Sequence, residues 1–179
     1  MRSILTVALC ALALLVASCS DTPTTTSDTR LGKMTLDEFT ANQSYSVWFN
    51  TGYQSYPDPQ STTQQARFDT AVAKLSKEFD STYSVLMVLK PTCSCQKTQL
   101  YMPQVVRALD AAGFPRKNIT VYVTDNRFAG IDDIKTKYGL ADAPVFIVLR
   151  GDVEKGRIYQ MPSTGSTIEE DLASIFAKP

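Results

Sequence analysis

The sequence predicts an α/β domain with a mixed sheet flanked by helices on both faces, and three observations carry that expectation. Strand-like and helix-like segments alternate along the chain. One strand-like segment, "YSVLMVLK" (83–90), is apolar almost throughout. The last part of the chain closes with a glycine-bounded hairpin and an amphipathic helix. An unbroken apolar run of strand length fits a strand buried on both faces, and such a strand needs helices above and below it.

Taken in order, "SYSVWFN" (Ser44 to Asn50) reads as the first strand, with Trp48, the single tryptophan, in the core. "GYQSYPDPQ" follows with the Gly and Pro of a turn. From Thr62 to Phe79, apolar Phe68, Ala71, Val72, Leu75 and Phe79 recur at helical spacing. Asp80 and Ser81 break that pattern before the buried strand. Leu100 to Ala112 is helical again, and Gly113 is a natural stop. "ITVYVTD" (Ile119 to Asp125) is a strand and Ile131 to Gly139 a short helix. "PVFIVLR" and "GRIYQM" flank Gly151 to Gly156 as a hairpin. "TIEEDLASIF" closes the chain as a helix opened by a capping-box pattern, Ser166 followed by Glu169. The predicted order is β-α-β-α-β-α-β-β-α.

The chain has 179 residues, enough for one domain that buries its own core, with 18 Lys+Arg against 18 Asp+Glu and no histidine. Balanced charge argues against a nucleic-acid partner. The lack of imidazole excludes His-based triads, His proton shuttles and metal sites that need His. No cofactor is expected, and no protein metal centre.

The start of the chain stands apart. Arg2 provides a positive flank and Ile4 to Val16 an apolar stretch short for a bilayer span. "LVASC" resembles a bacterial lipobox, with small Ala17 and Ser18 before Cys19. That resemblance implies a signal peptide over 1–18, lipid on Cys19 and a membrane anchor in the cell envelope. Ser20 after the cysteine favours the outer membrane, facing the periplasm; the other reading is an ordinary secretory signal cleaved nearby. "SDTPTTTSDTR" (Ser20 to Arg30) is small and polar with no apolar periodicity, so residues 19–43 are read as lipidated Cys19 plus a flexible Ser/Thr-rich tether and 44–179 as the domain. Cys10 then leaves with the signal peptide and Cys19 carries lipid. Cys93 and Cys95 remain, two thiols in an oxidising compartment with no other partner.

Over roughly residues 44 to 177 the chain resembles the thioredoxin-like family. Two stretches carry the likeness: "VLMVLKPTCSCQKTQLYMP", a buried strand entering a paired-cysteine helix, and "KYGLADAPVFIVLRGDVEKGRI", a helix, loop, proline-led strand and charged hairpin. The resemblance implies a cis peptide bond between Ala143 and Pro144 and a substrate-docking role for that pair. It implies a redox-active Cys93–Cys95 disulfide, and thiol–disulfide oxidoreductase activity on protein or small-molecule thiols and disulfides. The motif departs from the family, since Cys-x-Cys replaces Cys-x-x-Cys. Pro103 lies eight residues after Cys95 and ten after Cys93. A gap-free match makes Cys95 the attacking cysteine and puts Thr98 where the second cysteine belongs; deleting one residue makes Cys93 the attacker instead.

A thiolate at a helix N-terminus is stabilised by unpaired N–H groups, which favours Cys95. Thr98 either donates to that thiolate or faces solvent, and Lys90 either adds positive potential or is a solvated strand end. A Cys93–Cys95 disulfide requires the chain to bend at Ser94, and the strain of its small ring suits an oxidant or isomerase better than a reductant. Leu89 stands where the family keeps a buried acid, and "KPT" where it keeps a tryptophan. Two further functions compete with the enzyme. One is Cu(I) binding and delivery by the two thiolates, with Met87 and Met102 read as core. The other is a redox-inactive interaction module on the same fold.

Overall fold

The computed structural model describes residues 30–91 and 96–179. The signal segment 1–18, Cys19 and the chain to residue 29 lie outside the described residues, as do Cys93 and Cys95 with any disulfide between them.

Among the described residues five strands form one sheet in the order β1-β3-β2-β4-β5. They are β1 (Gly32–Thr35), β2 (Tyr83–Leu89), β3 (Ile119–Val123), β4 (Val145–Arg150) and β5 (Val153–Tyr159). Strand β2 runs parallel to β3, with Met87 opposite Val121, and antiparallel to β4, with Met87 opposite Phe146. Strand β1 adds antiparallel to β3, and β4–β5 is an antiparallel hairpin. The helices are α1 (Leu36–Ala41), α2 (Gln43–Gln54), α3 (Thr62–Leu75), α4 (Gln96–Ala111), α5 (Asp132–Tyr138) and α6 (Ile168–Phe176). A parallel β2–α4–β3 unit followed by an antiparallel hairpin and a closing helix is the thioredoxin-like arrangement, so the chain has an α/β thioredoxin-like fold.

The period-2 alternation of the strands sorts the core into two layers. Val85, Met87 and Leu89 of β2, with Val121 and Phe146, meet the helices α1, α2, α3, α4 and α6 through Phe39, Phe49, Phe68, Val105 and Phe176. Leu86 and Val88, with Val145 and Ile147, face the other way toward Ile134 of α5 and the loops around it, Phe128, Ile131 and Leu140. Helices cover both faces as predicted, and among the described residues α5 is the one helix on the second face.

Two expectations are corrected at the start of the domain. Ser44 to Asn50 is not a strand but part of α2. Asn42 caps the helix, its side-chain oxygen accepting the Ser44 N–H at 2.9 Å. Tyr45, Trp48, Phe49 and Tyr53 recur at helical spacing; Tyr45 and Phe49 are buried, and Trp48 and Tyr53 pack half-buried against them. Aromatic residues fit strands and helices alike, and here the tertiary packing of one helical stripe decides. The folded region also begins earlier than residue 44. The part of the supposed tether from Gly32 onward forms β1 and α1, with Leu36 and Phe39 fully buried. The capping box of Thr35 and Glu38 starts α1: the Glu38 N–H donates to Thr35 Oγ1 at 3.1 Å, and the Thr35 N–H to the Glu38 carboxylate at 2.7 Å.

Smaller shifts follow the same logic. Helix α3 ends at Leu75, and Phe79 instead packs edge-on against Phe114 and Phe176. The cap of α6 falls one residue later than expected, with Thr167 and Glu170 as the pair, and the Thr167 N–H donates to the Glu170 carboxylate at 2.9 Å. Glu169 is buried instead and accepts the Tyr56 hydroxyl. The hairpin turns at Gly151 and Asp152, while Gly156 lies within β5, opposite Val148 and beside the one register irregularity of that ladder. A Cβ on Gly156 would fall 3.1 Å from Ile175 of α6, so the helix packs directly on strand backbone there.

Helix α2 holds α4 in place by a similar approach. Pro103 sits inside α4, and Gly52 packs against its ring: a Cβ on Gly52 would come 2.9 Å from Pro103 Cγ. Alanine is about 1 kcal/mol better than glycine in a helix. Gly52→Ala is nevertheless expected to destabilise the protein, because a proline ring has no room to yield. A urea midpoint equal to or above that of the native protein would show that the two helices can separate without loss.

Candidate functional site

Three segments converge at the C-terminal end of β2. The strand itself delivers Lys90 and Pro91, and the Thr124 N–H, just past β3, donates to the Leu89 carbonyl at 2.9 Å. Helix α4 starts at Gln96 and places Lys97 and Thr98 in its first turn. The loop after α5 carries Asp142, Ala143 and Pro144 to the start of β4, and the Ala143–Pro144 bond is cis, as the resemblance implied. The Pro144 carbonyl accepts the Gln160 N–H at 2.8 Å, tying the end of β5 to the same place.

A polar chain joins these segments. The Lys90 ammonium pairs with one oxygen of Asp142, which also accepts the Ala143 N–H at 2.8 Å. The other Asp142 oxygen accepts the Gln160 amide N–H. The Gln160 amide oxygen in turn accepts the Lys97 ammonium at 2.6 Å. Lys90 and Lys97 lie on either side of residues 91–96, so the Asp142–Gln160 pair bridges both flanks of the cysteine motif. Lys90 is therefore no solvated strand end: its side chain is 13% exposed and its charge is matched by a carboxylate. Gln160 takes a left-handed backbone, φ 63°, and the Met161 N–H donates across it to the Tyr159 carbonyl at 2.8 Å. A non-glycine residue held there costs of order 1 kcal/mol, and such costs cluster at functional sites.

Thr98 does not face solvent. It is fully buried, and its hydroxyl has no hydrogen-bond partner among the described residues. A buried hydroxyl without a partner costs about 1–3 kcal/mol, so its position three residues after Cys95 calls for an explanation. Ala143 and Pro144 are buried as well. Met87 and Met102 are core residues, as expected. Leu89 is also in the core, so the strand position read as lacking the family's acid is filled by packing. Cys93 and Cys95 themselves lie outside the described residues.

Sequence reasoning missed Asp142, Gln160 and Lys97. Asp142 stands two residues before Pro144, which was a signal available in "ADAP"; nothing in the sequence connects Gln160 with Lys97, 63 residues apart.

No family model matches the chain, and no curated protein matches it. Among solved structures, an HIV epitope-scaffold aligns with a TM-score of 0.50 at 14% identity, over 80% of this chain and 83% of its own. A protein of unknown function from Pseudomonas aeruginosa aligns with a TM-score of 0.41 at 16% identity, over 74% of this chain and 95% of its own. Thioredoxin O2 from Arabidopsis thaliana, in the oxidized state, aligns with a TM-score of 0.32 at 22% identity, over 58% of this chain and 79% of its own. Likenesses of this kind concern the fold and say nothing of chemistry.

The Asp142 carboxyl is held below the usual carboxylate range, first by the Lys90 ammonium and further by the Ala143 N–H, against the partial burial that works the other way. A carboxyl lowered in the folded state stabilises the fold fully above its unfolded-state range, and that contribution is lost as pH falls through the folded value. The stability difference between the native protein and Asp142→Asn is therefore expected to be constant near neutrality and to shrink as pH falls from about 5 toward about 2. Chemical denaturation across that range checks it, and a difference independent of pH would remove the charge on Asp142 from the network.

Proposed function

We propose that the protein is a thiol–disulfide exchange protein of the bacterial cell envelope, tethered through lipid on Cys19 and using Cys93 and Cys95. The observation that carries this reading is that the β2 end and the first turn of α4, which flank the cysteine motif in the chain, are joined through the loop that carries Ala143 and Pro144. A strand leads into the motif, a helix of 16 residues leaves it, and the proline-led loop is bonded to one flank directly, at Lys90, and to the other, Lys97, through Gln160.

In the reductive direction one thiolate attacks a sulfur of a partner disulfide. The partner's S–S bond breaks, a mixed disulfide forms, and the departing partner sulfur takes up a proton. The second cysteine, deprotonated, then attacks the first cysteine's sulfur. That step forms the Cys93–Cys95 bond and releases the partner as a dithiol, so two electrons have passed from this protein to its partner. Oxidation of a partner dithiol is the same sequence reversed. Cys95 is the attacking residue in this reading, because it lies next to the first turn of α4, where unpaired N–H groups favour a thiolate. The buried Thr98 hydroxyl, with no partner among the described residues, supports the same register, since Thr98 follows Cys95 by three residues, where the gap-free match puts the family's second cysteine. The Ala143–Pro144 segment would receive the partner's chain beside the motif.

Thiol trapping of the purified protein across a glutathione series tests the reading. Cys93→Ser is expected to accumulate a mixed disulfide and Cys95→Ser not to; the opposite pattern exchanges the roles. A Cys93–Cys95 pair that stays oxidised under strongly reducing conditions would make it a fixed staple and end the proposal. Tight Cu(I) loading of the reduced protein without disulfide exchange would move the function to metal delivery.

Thr98→Val gives an independent check. Removing a buried hydroxyl that has no partner is close to neutral or stabilising, whereas removing one that serves a thiolate lowers the thiolate fraction. The expected result is a higher Cys95 thiol pKa in the Cys93→Ser background, with the fold retained. An unchanged thiol pKa would leave Thr98 with a packing role only.

A further inference from the structure

We infer that Asp142 is a positioning residue that sets how much positive charge the two lysines beside the motif present to it. The inference rests on the exchange reading above for its purpose, but its physical content lies in described residues. Lys90 and Lys97 bring two positive charges to the flanks of the motif. Among the described residues no carboxylate lies within ion-pair distance of Lys97, which is held by the neutral amide of Gln160. Asp142 is the one negative charge in the chain of contacts, and it acts twice. It matches Lys90 directly, and it anchors the Gln160 amide whose oxygen holds Lys97. The four side chains therefore sum to +1: two lysines, one aspartate and a neutral amide.

Covalent geometry alone keeps the backbone of each lysine close to the backbone of a cysteine. Cys95 is two residues from Lys97, so their Cα atoms are at most about 7.6 Å apart, and Cys93 is three residues from Lys90, at most about 11.4 Å. Both spans are comparable to the screening length of about 8–10 Å at ordinary ionic strength. In this inference the charge on the network acts on whichever cysteine carries the thiolate. A positive surplus favours the thiolate, stabilises the dithiol form and makes the disulfide the stronger oxidant. Asp142 moderates that surplus.

The test uses two substitutions of opposite sign in the full-length protein. Asp142→Asn raises the sum to +2, and Gln160→Glu lowers it to 0. In the Cys93→Ser background, thiolate absorbance against pH is expected to show about three- to tenfold more thiolate at a fixed acidic pH for Asp142→Asn, and a comparable decrease for Gln160→Glu. Asp142→Glu, which keeps the charge, should restore the native titration. With both cysteines present, the glutathione equilibrium should move toward the dithiol for Asp142→Asn and toward the disulfide for Gln160→Glu. Opposite shifts cannot come from loosened packing, which would move both variants the same way. Identical titrations in native protein and variants, or shifts of the same sign, would overturn the inference. If Asp142→Asn does not fold, the Gln160→Glu titration alone decides by its direction. The thiolate titration needs no exchange partner, so a protein that never exchanges with glutathione would sink the proposed function while leaving this inference to stand or fall on its own data.

Discussion

The structure depends on a strand that has no solvent face along most of its length. From Val85 to Leu89 every side chain of β2 is buried, alternately against the large helical layer and against the thinner layer around α5. Shifting such a strand by one residue would exchange the occupants of two differently shaped layers, so its pairing with β3 and β4 has a single register. That constraint fixes where the strand must emerge. Lys90 is the first residue past the buried run, and the chain turns there into the motif and α4.

Everything polar near the motif follows from that fixed exit. Asp142 is brought to it by the loop that also starts β4, the strand paired with β2, and Gln160 by the end of β5, which pairs with β4. The contacts among Lys90, Asp142, Gln160 and Lys97 thus sit on the ends of three consecutive neighbours in the sheet and on the first turn of one helix. Rigid elements hold each partner, and this is why a short charge network can act as a defined electrostatic environment and not as a loose set of surface groups.

Much of this was legible before any coordinates. The uninterrupted apolar run gave β2 its double burial, the pattern from Leu100 to Ala112 placed a helix after the motif, and Pro144 marked the start of the strand that follows the short loop. What failed did so for identifiable reasons. The aromatic stretch from Tyr45 to Tyr53 satisfies a strand pattern as well as a helical one, and only the layer of α4 and Phe39 behind it selects the helix. Residues 32–41 looked like the end of a polar tether because their buried anchors, Met34, Leu36 and Phe39, are separated by polar residues and acids. The bridge through Gln160 was invisible for a simpler reason: a glutamine at the end of a hairpin carries no sign of the lysine it will meet.

The two borders of the sheet have a further consequence. Strand β1 ends the sheet with only four residues, and β5 carries the irregular register beside Gly156, where α6 closes down on the strand. Unpaired strand edges are templates for joining one molecule to another, and brevity and bulging are the usual ways of blunting them. A sheet finished in this manner offers little purchase to a second copy, so the fold resists edge-to-edge stacking even when many copies are crowded together.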